Sequence, residues 1–296
     1  MSRVEANGIQ IEYEERGDKD NETLILVRGL GTQLIDWPEI FLDGLVSEGF
    51  GVVCFDNRDV GLSENFDQSG VPDMGAIASG EAQPAYSLQD MADDVIGVMD
   101  VLDISKAHIL GISMGGMIVQ VVAATHGERL LSMMSVMSSS GRPGLPAATD
   151  KAMASLTAQP DPAGGVDAID LLTAEGLEIC GSPGYPESLE DRLAIARRRR
   201  ERNYNPGGVA RQMAAVIAAG SRVDLLGTIT VPSLVIHGAD DPLIPVAGGE
   251  DTAKCIPGCE LEIVSGMGHN LPKGVVPLLV KLVAGFCSRS SRQVSQ

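Results

Sequence analysis

The first residues of the chain alternate. Val4, Ile9, Ile11 and Tyr13 are apolar with polar neighbours, and Asn7-Gly8 interrupts them. Period two suits a strand, whose side chains point to opposite faces in turn, and Asn-Gly suits the left-handed turn of a tight hairpin. A hairpin is therefore predicted at the start. The pattern then changes to continuous apolar runs: Thr23–Val27 (TLILV), 52–55 (VVCF), 108–110 (HIL) and 233–236 (SLVI), with 131–136 (LSMMSV) and 261–264 (LEIV) as two more. Such runs fit strands covered on both faces, as in a parallel sheet. Helical spacing separates them. Met91, Val95, Val98, Met99 and Leu102 recur at helix period within 88–102, and Met114–Thr125 is apolar nearly all round, as a buried helix would be. Alternation of strand and helix predicts an α/β fold with a mostly parallel central sheet flanked by helices.

That alternation stops near Ser138. Between 141 and 227 there are proline and glycine clusters and helical stretches, Leu189–Arg202 and 208–219 among them, but no strand pattern. Strand character returns at Val231. The simplest organisation is a core in two parts, 1–140 and 228–296, with a helical cap inserted at 141–227. The arginine run 197–200 falls in the insert and reads as a solvated helix face, with a cationic, substrate-facing lid as the sharper alternative. The final stretch, SRSSRQVSQ, reads as a frayed tail.

Charge narrows the range of partners. With 40 acidic against 22 basic side chains the 296-residue chain carries a formal charge of -18, so its surface repels phosphate backbones and nucleic acid is not an expected partner. The apolar stretch 275–286 is broken by Pro277 and Lys281 and is too short to span a bilayer, and the acidic opening has no apolar core of a signal peptide. A cytoplasmic protein with no membrane partner is expected. The five cysteines are odd in number and scattered, which suits free thiols. Cys255 and Cys259 have no accompanying ligand cluster, so no metal is expected there.

The chemistry concentrates in Gly111-Ile112-Ser113-Met114-Gly115. A serine between a strand ending at Leu110 and a helix beginning just after it sits on a sharp turn that lifts Oγ clear of the sheet. Such a serine needs a base. Of the four histidines, His108 starts the strand leading to Ser113 and His126 ends the helix after it, so both are remote from the turn. His237 closes a later strand and could approach the site, but its neighbour Gly238 begins a different loop. His269, in Gly266-Met267-Gly268-His269-Asn270, follows the last strand, at the sheet edge where open α/β folds bind ligands. The orienting acid should lie between serine and histidine in the chain. Asp240 and Asp241 both qualify; Asp241 is preferred because Pro242 fixes the chain after it, with Asp240 in reserve. An oxyanion hole needs two donors. The Met114 N–H is one, and Leu30 in Arg28-Gly29-Leu30-Gly31 is nominated as the other. Gly29, Trp37 and Met267 are candidates for a largely apolar substrate site.

These motifs, in this order, resemble the α/β-hydrolase superfamily across almost the whole chain. The segment from Arg28-Gly29-Leu30-Gly31 through Trp37-Pro38, together with Asp56-Asn57-Arg58-Asp59-Val60-Gly61-Leu62-Ser63 and 266–272, resembles its aclacinomycin-methylesterase-like branch more narrowly. The resemblance implies hydrolysis of a small-molecule carboxylic ester, without a cofactor, by Ser113, Asp241 and His269, with the Leu30 and Met114 amides as the hole. It implies a structural role for Asp56 and Arg58. Arg28 departs from the histidine usual before the oxyanion glycine. Carbon–carbon bond hydrolysis and cofactor-free perhydrolysis use the same triad, and a non-catalytic binding protein on this fold is the alternative of another class.

Overall fold

In the computed structural model, which describes residues 1–294, the opening hairpin pairs β1 (Ser2–Ala6) with β2 (Ile9–Arg16). Asn7 and Gly8 make the turn at φ of 51° and 76°, the left-handed region that asparagine and glycine tolerate best. Then follow β3 (Thr23–Val27), α1 (Glu39–Ser47), β4 (Gly51–Phe55), α2 (Met74–Ser79), α3 (Leu88–Val101), β5 (Ala107–Ile112), α4 (Met114–Thr125) and β6 (Leu130–Val136). Helices α5 (Asp150–Thr157), α6 (Gly165–Ile179), α7 (Leu189–Arg202), α8 (Pro206–Ala219) and α9 (Val223–Leu226) come before the next strand. The chain closes with β7 (Ser233–Gly238), α10 (Val246–Cys255), β8 (Glu260–Val264) and α11 (Val276–Val294).

The sheet runs β1-β2-β4-β3-β5-β6-β7-β8. Only the β1–β2 and β2–β4 pairs are antiparallel; the other five are parallel. The continuous apolar runs have the physical reason inferred for them. Ile25 and Val27 pack with α3 and α4 on one face, while Leu24 and Leu26 pack with α1 and α11 on the other, so both parities must be apolar. The edge strand β8 is the exception, with Glu260, Leu261, Glu262 and Ile263 all exposed.

Helix ends carry their own signals. Ser87 caps α3 by accepting from the Asp90 N–H, and the Asp90 carboxylate accepts in return from the Ser87 N–H, a reciprocal pairing that satisfies donors a helix start leaves free. The expected frayed tail is corrected. Residues 288–294 continue α11, where Ser290 is buried and its hydroxyl donates to the Phe286 carbonyl; residues 295 and 296 lie outside the described residues. Among the described residues no helix is long and apolar enough to cross a membrane.

Candidate active site

Ser113 forms the junction of β5 and α4 at φ 56° and ψ -121°. Its neighbours explain how this strained geometry is held. A Cβ on Gly115 would lie 2.2 Å from the Val27 carbonyl oxygen, and one on Gly111 would lie 2.0 Å from that of Gly115. Neither glycine could carry a side chain without displacing backbone, so the helix start is pressed onto the sheet and the serine is turned outward. The first turn of α4 leaves its N–H groups, Met114 first, without partners inside the helix.

Two loops meet Ser113. His269, after β8, places Nε2 at 2.9 Å from the Ser113 Oγ, and its Nδ1 lies 2.7 Å from Asp241 Oδ2 in the loop after β7. Asp241 is buried, and its Oδ1 accepts from the Leu243 and Ile244 amides at 2.9 and 2.8 Å. With Nδ1 donating to this carboxylate, Nε2 is left to accept from the serine hydroxyl. Asp240 faces elsewhere: its Oδ2 accepts from the Gly266 N–H at 2.8 Å, which ties the two loops together.

His237 has a part that the sequence reading left out. It is fully buried, its Nε2 donates to the Ile244 carbonyl at 2.8 Å, and the same nitrogen lies 3.6 Å from Asp241 Oδ2. Burial pushes this imidazole below its ordinary pKa, against the opposing pull of the Ile244 carbonyl and Asp241. A neutral ring therefore braces the acid loop without competing for its charge. Its spacing four residues before Asp241 was the available signal. The remaining histidines lie away from the site. His108 bonds Ser132 and Glu22, and His126 bonds Asp93.

Beside the serine runs the loop after β3. A Cβ on Gly29 would lie 3.0 Å from the Ser113 Cβ, 3.2 Å from the Ile112 carbonyl oxygen and 3.5 Å from the Ser113 Oγ, so a side chain there would crowd the serine and its neighbours would have to give way. Among the described residues the next amide, Leu30, makes no hydrogen bond within the protein. The one after, Gly31, donates to the Gln212 Oε1 of α8 at 2.9 Å, while the Gln212 Nε2 donates to the Arg58 carbonyl at 2.8 Å. Gln212 is fully buried.

The segment between β6 and β7 holds three loops of the site, those after β3, β7 and β8. The Thr149 N–H donates to the Pro242 carbonyl beside Asp241 at 2.9 Å. The turn between α6 and α7 takes the histidine loop: the His269 N–H donates to the Cys180 carbonyl at 2.8 Å and the Gly268 N–H to the Ser182 hydroxyl at 2.9 Å. From α7 and α8, Arg199, Arg202 and Arg211 reach Asp36, Asp56 and Asp59 of the core at 2.8, 2.7 and 2.7 Å. The arginine run is a solvated face in part, since Arg197 and Arg198 are exposed, but its other members turn to carboxylates. Arg199 turns to Asp36, Arg200 to Asp170 within the insert, and Arg198 to the Ile35 carbonyl. Burial pushes the Asp59 carboxyl up, but Arg211, the Phe66 N–H and the Tyr86 hydroxyl outweigh it and hold it below the usual carboxylate range.

Two expected substrate contacts lie elsewhere. Trp37 is 1% exposed, stacks on Phe41 at 5.6 Å and is packed in the core between the sheet, α1 and α11. Met267 is fully buried in the same core, where its backbone carbonyl accepts from the Asp240 N–H. Both side chains fill the interior beneath the site; Gly29 alone of the three stands beside the serine.

A model of the alpha/beta hydrolase fold family matches residues 22–272. The chain is 26% identical to a rhodomycin D methylesterase of Streptomyces sp. (strain C5), over 93% of this chain and 92% of that one. It is 27% identical to a 2-hydroxy-6-oxononadienedioate/2-hydroxy-6-oxononatrienedioate hydrolase of Pseudomonas sp, over 91% and 88%. Among solved structures it superposes on the enol-lactonase from Burkholderia xenovorans LB400 with a TM-score of 0.73 at 23% identity, covering 97% of this chain and 100% of that one. At that identity the likeness speaks for the fold alone.

Proposed function

From the premise that the chain belongs to the alpha/beta hydrolase fold family, we propose that it is a serine carboxylesterase acting on small or medium, largely apolar esters. The observation that carries this is the unbroken chain from Ser113 Oγ to His269 Nε2 at 2.9 Å and from His269 Nδ1 to Asp241 Oδ2 at 2.7 Å. Beside it lies the Leu30 amide, which has no partner among the described residues. The similarity to a methylesterase agrees with an ester as substrate.

In this reading His269 takes the Ser113 proton as Oγ attacks the ester carbonyl. The oxygen gains negative charge as the carbon becomes tetrahedral, and the Leu30 and Met114 amides hold it; each such donor contributes about a hundredfold or more in rate. The imidazolium, steadied by Asp241, returns its proton to the leaving alkoxide, and an acyl group remains on Ser113. Water then enters and gives a proton to His269 as its oxygen attacks the acyl carbon; His269 returns that proton to Ser113 Oγ as the acyl–Oγ bond breaks and the acid leaves. The segment 141–227 acts as a cap over the site, fastened rather than hinged.

Turnover of a chain-length series of p-nitrophenyl esters tests this. The protein should hydrolyse short and medium chains, and Ser113→Ala should lose about 10,000-fold or more in kcat. A Ser113→Ala protein as fast as the unaltered one removes the assignment. Hydrolysis of a carbon–carbon bond is the second reading, favoured by the similarity to a hydrolase named for 2-hydroxy-6-oxononadienedioate and 2-hydroxy-6-oxononatrienedioate. Faster turnover of a vinylogous diketone than of any ester in the series would select it.

A further inference from the structure

The peptide unit that holds the Leu30 N–H also holds the Gly29 carbonyl. In a planar trans peptide these two groups point in opposite directions, and no peptide bond here is cis among the described residues. Whatever fixes the Gly29 oxygen therefore aims the Leu30 N–H. Thr32 fixes it twice: its hydroxyl donates to that oxygen at 2.8 Å and its backbone amide at 3.3 Å. The same hydroxyl accepts from Arg28 Nε at 3.3 Å. A hydroxyl that accepts from a cation is a stronger donor. A carbonyl that receives a stronger bond makes its own N–H a stronger donor in turn, since polarisation passes along such chains.

Arg28 is an improbable occupant of this position unless the charge has a use. It is 6% exposed, and its Nη1 has no hydrogen-bond partner. Its guanidinium lies over the Trp37 ring, 4.7 Å from the centroid. Burial brings its pKa down to about 10, with the nearby Asp36 opposing, so the cation persists at neutral pH. Burying a cation with an unpaired N–H costs stability that an apolar side chain would spare.

We propose that Arg28 and Thr32 are positioning residues of the oxyanion hole, forming a relay from guanidinium to hydroxyl to Gly29 carbonyl that aims and polarises the Leu30 N–H. The inference rests on the reading of Ser113 as nucleophile. The relay bears on charge that appears only as the carbonyl becomes tetrahedral, so it should raise kcat and leave substrate binding nearly alone.

Thr32→Val keeps the shape and removes the hydroxyl. On p-nitrophenyl acetate it should lower kcat about tenfold, weakening a donor rather than deleting one, with KM within about twofold. Affinity for phenylboronic acid, whose serine adduct carries a tetrahedral anion, should fall by the same factor, and Thr32→Ser should restore both. Arg28→Met, which leaves the hydroxyl in place, should lower kcat and boronate affinity together, and it serves the same comparison should Thr32→Val not fold. Wild-type kcat in these variants overturns the relay. So does a loss of kcat without a matching loss of boronate affinity, or a Thr32→Ser protein as slow as Thr32→Val. If the unaltered protein neither turns over the ester nor binds the boronate, the reading of Ser113 falls; if it does both and the variants match it, only the relay falls.

Discussion

Ser113 holds a backbone conformation that a non-glycine residue keeps only when its surroundings enforce it. The enforcing groups are ordinary. Two glycines lack the atoms that would push the helix off the sheet, and the Ser113 N–H donates to the Val136 carbonyl at 2.9 Å. At this scale the sequence was most legible, because the requirement is local: a strand, a serine between glycines and a helix are adjacent in the chain. The choice between Asp240 and Asp241 was less so, since the rigidity Pro242 adds does not say which carboxylate faces inward. The hydrogen bonds do: Asp241 meets His269 and Asp240 meets the Gly266 amide. Asp241→Asn should therefore cost about 10,000-fold in kcat, because the amide cannot both fix the imidazole tautomer and stabilise its cation. Asp240→Asn keeps an acceptor for Gly266 and should change kcat by roughly threefold or less. Parallel kinetics on one ester would distinguish them, and equal losses would contradict the assignment.

Among the elements, the central strands and the helices α3 and α4 were readable from period and run length, because each of them packs an apolar face against the core. The helices α5 and α6 were not singled out by their spacing, while α7 and α8 were readable as helices but not as a clamp. Their ties to the core depend on residues far away in the chain: Asp36, Asp56 and Asp59 for Arg199, Arg202 and Arg211. A run of four arginines gives no hint of which aspartate each will meet. Trp37 was misplaced for the same reason, since only the packed structure shows that Phe41 and α11 cover it. The Arg211–Asp59 pair should be a strong fastening, because both groups are buried. Arg211→Met strands a carboxylate and should cost about 3–5 kcal/mol of unfolding free energy at neutral pH. The Asp59 carboxyl is held below its ordinary pKa in the folded state, so its contribution is present above the unfolded value and fades as pH falls through the folded one. The gap in urea midpoint between the variant and the unaltered protein should therefore narrow below about pH 4. A gap that is constant with pH would mean that the pair contributes through packing rather than charge.

Taken as a whole, the molecule brings together loops that are distant in sequence. Gly29 follows β3, Ser113 follows β5, Asp241 follows β7 and His269 follows β8. All four strands involved in this convergence lie in the parallel part of the sheet, so the loops after them emerge at one rim. Residues between β6 and β7 hydrogen-bond three of these loops: Thr149 reaches the one after β7, Cys180 and Ser182 the one after β8, and Gln212 the one after β3. The fold thus brings the Ser113 hydroxyl, the His269 imidazole and the Asp241 carboxylate within hydrogen-bond distance of one another, as the proposed mechanism needs. The most direct test is covalent labelling with a fluorophosphonate, followed by mass mapping of the modified peptide. The account predicts one adduct on Ser113, absent from Ser113→Ala and formed far more slowly by His269→Ala. A folded protein that stays unlabelled, or an adduct on a different residue, would contradict it.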